Sequence, residues 1–225
     1  SLYEDDRGRG WIGTDSGLCR IEGDAVTVIG ERYGVPRGLM LAVTQDREGD
    51  LWTGGVGAGL VRIRDGEATV LGVEHGLPDD TVFCLLEDDA GHFWASSNVG
   101  VFSFRRSDFE DFAAGRAAGV DFRLYGRGDG LKTAECNGGC SPSGTVDLQG
   151  RFWFATNDGA AVIDPTAAAG RQPTVSVLLQ EAVLAALGGG TVLEFGAGSG
   201  VMAADLLAEL ERRDCLPAEY LILEL

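Results

Sequence analysis

The sequence contains no apolar run of the roughly 18 residues that a membrane-spanning helix needs, so this chain is expected to carry no membrane span. It opens on Ser1, without a charged and apolar leader, and Leu2-Tyr3-Glu4-Asp5 already reads as the end of a strand. Histidine is scarce, with only His75 and His92. The five cysteines, Cys19, Cys84, Cys136, Cys140 and Cys215, are odd in number and too dispersed for a disulfide scaffold. Cys136 and Cys140 flank Asn-Gly-Gly, but they have too few neighbouring ligands for a metal and read as two unpaired small residues in a turn. Positive charge is in deficit: the formal net charge is −17. An acidic surface of that size repels phosphate backbones and acidic lipid headgroups, which argues against nucleic acid as a partner.

Glycine is abundant. The 35 glycines among 225 residues are about twice the usual share, and without a collagen period they point to many tight turns between short strands. The 44% hydrophobic content is enough for a core. The four tryptophans set a period: Trp11, Trp52 and Trp94 are 41 and 42 residues apart, the length of one four-stranded propeller blade. The gap to Trp153 is 59 residues, which predicts an insertion at roughly residues 107 to 125.

Each tryptophan has the same surroundings. Asp6-Arg-Gly-Arg-Gly-Trp11, Asp46-Arg-Glu-Gly-Asp-Leu-Trp52, Asp88-Asp-Ala-Gly-His-Phe-Trp94 and Asp147-Leu-Gln-Gly-Arg-Phe-Trp153 all lead through a second glycine turn into an apolar strand. In the first turn, aspartate bonds its own backbone and glycine takes positive φ. Tryptophan then fills the space between neighbouring sheets. The strand Leu60-Val-Arg-Ile-Arg64 alternates, so one buried face and one wet face are expected. A second landmark, Tyr33-Gly-Val-Pro36, His75-Gly-Leu-Pro78 and Asp129-Gly-Leu-Lys132, marks the connections between blades. It leads into first strands such as Thr81-Val-Phe-Cys-Leu-Leu-Glu87. Here His75 is expected to be a solvated turn residue, and His92 a half-exposed strand residue. Asp79-Asp80 and Asp88-Asp89 are turn residues rather than acid–base pairs, and no residues group into a catalytic constellation.

This frame, four times in register over residues 1 to about 165, resembles the two-component regulator propeller repeat. Copy three departs from it at Ser96-Ser97-Asn98-Val99, and the last connection has Lys132 in place of proline. The stretch from Tyr125 to Asn137 resembles the longer variant found near the end of such propellers. The resemblance implies a mostly β fold, a partial β-propeller of about four blades. It also implies an extracytoplasmic or periplasmic sensor that binds a ligand or protein at a propeller face. Four blades are fewer than such rings hold, so the chain is expected to be part of a larger ring or to self-associate to complete one.

Residues 167–177 read as a linker after a propeller of residues 1–166, and residues 178–225 form a third segment. Leu178 to Leu187 is a helix stopped by Gly188-Gly-Gly190. Thr191-Val-Leu-Glu-Phe195 is a strand, Val201 to Arg213 an amphipathic helix and Tyr220 to Leu225 a second strand. Together they make a Rossmann-like β-α-β fragment with a preceding helix. Between strand and helix lies Gly196-Ala-Gly198-Ser-Gly200, which lets backbone approach a ligand closely. This segment resembles the MidA-like family of class I S-adenosylmethionine (SAM) methyltransferases, associated with protein arginine methylation in respiratory complex I assembly. The resemblance implies that Glu194, Gly196, Gly198 and Gly200 face the cofactor and Glu224 its ribose. It also implies a cytoplasmic setting, at odds with that of the propeller. Three functional readings follow: a non-catalytic sensing or binding module, a SAM-dependent methyltransferase, or a fused or misassembled reading frame joined near residues 175 to 180.

Overall fold

The computed structural model describes residues 1–165, together with the backbones of two further strands, 191–195 and 219–223. The chain divides into two compact units, Ser1–Val177 and Leu178–Leu225.

The first unit contains four antiparallel blades. Blade 1 holds β1 (Leu2–Glu4), β2 (Gly10–Thr14), β3 (Gly17–Glu22) and β4 (Ala25–Ile29), and blade 2 holds β5 (Leu39–Gln45), β6 (Leu51–Val56), β7 (Gly59–Arg64) and β8 (Glu67–Leu71). Blade 3 holds β9 (Cys84–Glu87), β10 (His92–Ser96), β11 (Val101–Arg105) and β12 (Arg123–Tyr125). Blade 4 has three strands among the described residues: β13 (Gly144–Val146), β14 (Phe152–Thr156) and β15 (Gly159–Ile163). Each sheet is ordered as its strands follow in sequence, so short hairpins make the turns within a blade, except between β11 and β12 of blade 3. The strand expected from Thr81 begins only at Cys84; Thr81 to Phe83 are buried connection.

Each tryptophan lies on the second strand of its blade, and the faces of Trp11, Trp52 and Trp94 pack on the opposite face of the next blade. Trp11, Leu18 and Ile29 of blade 1 meet Leu51, Val61 and Ile63 of blade 2. Trp52, Leu60 and Leu71 meet Phe93, Ala95, Phe102 and Phe104 of blade 3. Trp94, Val101 and Tyr125 meet Phe152, Phe154, Ala161 and Ile163 of blade 4. Trp11, Trp52 and Trp94 are 4%, 1% and 3% exposed. Trp153 has no fifth blade among the described residues and is only half-buried.

This stacking corrects the expected wet face of β7. Leu60 through Ile63 are all buried, Arg62 included. A central blade has neighbours on both sides, so alternation there separates two buried faces. The insertion expected at roughly residues 107 to 125 is present and lies inside blade 3, between β11 and β12. Arg106–Ala113 form a helix, α1, and the chain then returns to pair β12 against β11. Phe109 of α1 is fully buried, 4.6 Å from Trp52 between ring centroids.

In the second unit, β16 (Thr191–Phe195) and β17 (Glu219–Leu223) are paired in parallel, with Glu194 opposite Ile222. The expected helices, the linker of residues 167–177 and the glycine cluster lie outside the described residues.

Candidate functional site

In an up-and-down blade, the turns after the first and third strands lie at one end, and the turns after the second strand and between blades lie at the other. The two ends of this stack differ in construction.

At the first end, one aspartate per blade anchors the turn. Asp46 Oδ1 accepts the backbone N–H groups of Glu48 and Asp50, and its Oδ2 accepts Trp52 Nε1–H at 2.7 Å. Asp5, Asp88 and Asp147 repeat this with Trp11 at 2.8 Å, Trp94 at 3.1 Å and Trp153 at 2.9 Å. The Asp-to-Trp spacing of six therefore follows from a hydrogen bond. In blade 1 the anchor is Asp5, not Asp6, which starts the frame quoted for that repeat. Glycine closes each turn at positive φ: Gly8, Gly49, Gly91 and Gly150 lie between 72° and 88°. Each anchor also meets a cation or a histidine. Arg9 and Arg151 approach Asp5 and Asp147 at 2.7 and 2.6 Å, and His92 Nδ1 lies 3.2 Å from Asp88. In blade 2 the corresponding residue is Asp50, itself acidic, and Arg106 at the start of α1 reaches Asp46 at 2.8 Å instead.

Around α1 this end becomes a charge network between blades 2 and 3. Glu110 accepts from Arg62 at 2.7 Å and Arg64 at 2.8 Å, Asp50 pairs with Arg64 at 2.6 Å, and Glu87 pairs with Arg106 at 2.6 Å. Arg62 also stacks over Phe109 at 4.9 Å. Burial alone would raise the carboxyl pKa of Glu110, but bonds from Arg62 and Arg64 hold it below its usual value. Burial likewise opposes ionisation of Asp5 and Asp147. The tryptophan, backbone and arginine donors outweigh it and bring both carboxyls down to about 2. These acids are ionised structural groups rather than proton donors.

The second end has longer, less regular connections, the usual place for recognition on a rigid scaffold. Each blade-to-blade connection starts with one 3-10 turn, Glu31–Tyr33, Val73–His75 or Arg127–Asp129, closed by Gly34, Gly76 or Gly130 at φ 79°, 99° and 108°. His75 is not a solvated turn residue: its Nδ1 accepts the Gly72 N–H at 3.2 Å and its ring packs on Phe112. Asp129 makes the equivalent bond to Gly126 at 2.9 Å, so either residue type serves at this position. Asp79 accepts the N–H groups of Thr81 and Asn98, and Asp80 that of Val73. An open groove of about 1010 Å³ lies at this end beside blade 1, lined in part by Asp15, Val28, Glu31, Arg32 and Arg37.

Cys84, Cys136 and Cys140 are not activated nucleophiles. Burial pushes the Cys84 thiol up to about 12 and that of Cys136 up to about 11, and also raises Cys140. Cys136 is buried and bridges to Thr156; Cys140 is exposed. Of the residues expected to face SAM, Glu194 lies on β16, opposite Ile222 of its parallel partner β17. Gly196, Gly198, Gly200 and Glu224 lie outside the described residues.

The family profile described as two component regulator propeller matches residues 76–99, which span most of the second connection, β9 and β10 with Trp94. No curated protein matches the chain. The extracellular domain of a protein designated a hybrid two component system from B. thetaiotaomicron is similar, with a TM-score of 0.59 and 21% identity. The match covers 74% of this chain and 21% of that one. The extracellular domain of a protein from the same organism designated a one component system gives 0.59 and 20%, with 74% and 23% covered. Virginiamycin B lyase from Staphylococcus aureus gives 0.53 and 14%, with 73% and 52% covered. The chain thus spans between a fifth and a quarter of the length of the two extracellular domains. By fold, residues 1 to about 165 are a propeller-like domain similar to the extracellular domains of two- and one-component systems.

Proposed function

We propose that the first unit is a non-catalytic binding module of a signal sensor, working outside the cytoplasm. Its connection end would meet a ligand or a protein. One observation carries this reading: four repeats in register form the scaffold found in extracellular sensor domains, with their acids and cations committed to holding blades together at one end. Fold alone does not decide the matter, because a lyase shares it. The test is a thermal-shift screen against soluble oligosaccharides, peptides and small metabolites, followed by Arg37→Ala at the connection end and Arg7→Ala at the other. A ligand lost with Arg37→Ala, retained with Arg7→Ala and recovered unchanged supports the module. Turnover of the ligand, or sensitivity to Arg7→Ala alone, overturns it.

A second reading concerns the second unit and is favoured by the parallel pairing of β16 with β17. Glu194, Gly196, Gly198 and Gly200 would hold SAM, with Glu224 on its ribose; the cofactor would supply a methyl group for transfer. Calorimetry with millimolar SAM tests it. Heat of binding abolished by Gly198→Val supports a cofactor-binding segment, and absence of heat removes it.

A further inference from the structure

We infer that Cys84 and Cys140 are a covalent pair: an oxidant of the disulfide class joins them and ties a loop of blade 4 to the first strand of blade 3. The reasoning starts from strand register. In blade 3, Phe83 N–H bonds Ser96 O, Cys84 lies opposite Ser96, and Leu85 and Leu86 follow opposite Ala95 and Trp94. In blade 4, Asn137 N–H bonds Ala155 O, Ala155 N–H bonds Ser143 O, and Gly144 and Thr145 follow opposite Phe154 and Trp153. Asn137 therefore takes the place of Phe83, and Ser143 that of Cys84. Phe83 and Cys84 are adjacent, so residues 138–142, Gly-Gly-Cys-Ser-Pro, are an extra loop pushed out of the ladder.

Both feet of that loop rest on Phe83 and Cys84. A Cβ on Gly138 would strike the Phe83 ring, so the loop leaves the ladder in contact with it. On the return, Ser143 Oγ–H donates to Phe83 O at 2.7 Å, and a Cβ on Gly144 would lie 2.7 Å from Cys84 Sγ. The Cys84 thiol is hydrogen-bonded to the Ser143 side chain, and a charge on Cys140 acts on it more strongly than one on Cys136. Cys136 is fixed in the ladder by its N–H bond to Ser97 O and its bridge to Thr156. Cys140 lies outside the strands, with its thiol 3.9 Å from Asn137 O, and is exposed where Cys84 is buried. A disulfide demands a particular approach of its two Cβ atoms. A loop with two glycines before its cysteine can supply that approach, whereas a residue held in a ladder cannot.

The step is a thiol–disulfide exchange in two halves. The Cys140 thiol loses its proton to solvent, and its sulfur attacks a small disulfide such as oxidised glutathione. A mixed disulfide forms and one glutathione thiolate leaves, taking up a proton. The Cys84 thiol then loses its proton, attacks Cys140 Sγ and expels the second thiolate. Two protein thiols are oxidised, and one small disulfide is reduced to two thiols. Burial raises both protein thiols, so the exchange is slow at neutral pH and quickens as pH rises. The link would stiffen the connection end, where the sensor reading places a ligand; that consequence rests on the sensor reading, and the link itself does not.

The experiment therefore uses no ligand. The reduced full chain is incubated with oxidised glutathione at about pH 8, below the ordinary cysteine pKa. Free thiols are then alkylated, and the digest is mapped by mass spectrometry. A Cys84–Cys140 peptide pair is expected, kept in Cys136→Ser and lost in Cys140→Ser, an exposed position whose substitution spares the core. The linked chain should melt roughly 5 to 10 °C above the reduced one, and dithiothreitol should reverse the shift. The same incubation in denaturing urea should give much less of the pair, because folding brings the two residues together. A Cys136–Cys140 pair in its place, glutathione retained on Cys140 without a link, an unoxidised Cys140, an equal yield in urea, or a melting temperature that the link leaves unmoved overturns the inference.

Discussion

Asp46 holds four donors with two oxygens: two backbone N–H groups, the Trp52 indole and Arg106. Its side chain is wholly buried, while that of Asp147, with the same architecture, is 19% exposed. Asp46→Ala leaves the Trp52 indole and two backbone N–H groups unpaired and takes from Arg106 one of its two close carboxylate partners, Glu87 being the other; it should cost roughly 3–5 kcal/mol by urea denaturation, with Asp147→Ala costing about half as much. Equal losses would mean that the buried ion pair adds nothing. Asp5 and Asp147, held at about 2, stabilise the fold fully above the ordinary aspartate pKa, near pH 4. That stability is lost as pH falls from there through 2. The urea midpoint should therefore drop over this window, and less steeply in Asp5→Asn; identical slopes would contradict the assignment. These turns were partly legible. Asp-x-x-Gly marked them correctly, but consecutive acids at positions 5 and 6 obscured which one is the anchor. The spacing of six to tryptophan, constant in the other three repeats, singles out Asp5.

Among the elements, α1 shows what a length count leaves unseen. The wide tryptophan gap revealed an insertion, yet not that it folds back as a clamp within blade 3. Phe109 and Phe112, three apart, were the available signal of one helix face. Arg62, read as a wet position, is buried because Glu110 from this helix supplies its countercharge. Phe109→Ala should cost about 3–5 kcal/mol, since it empties a site bounded by Trp52 and Phe104. A loss under 1 kcal/mol would show that α1 sits on the blades without supporting them. His75 is a similar case. Its place before Gly-Leu-Pro looked like solvated turn, but His75 and Asp129 both accept the glycine N–H three residues before them, whereas Tyr33 in the first connection makes no such bond.

On the scale of the whole unit, the repeat was the most legible feature because tryptophan is rare and each copy serves the same purpose: its face is covered by the blade that follows. The asymmetry of the stack was visible only in part. Counting blades showed an incomplete ring, but the exposed Leu2, Val26 and Val28 and the half-buried Trp153 emerge only from register and burial. That covering relation is the central claim, and acrylamide quenching of tryptophan fluorescence tests it most directly. Most of the quenchable emission should come from Trp153, and Trp153→Phe should remove it while leaving a poorly quenched remainder from Trp11, Trp52 and Trp94. A Stern–Volmer plot unchanged by Trp153→Phe would contradict the stacking order of the blades.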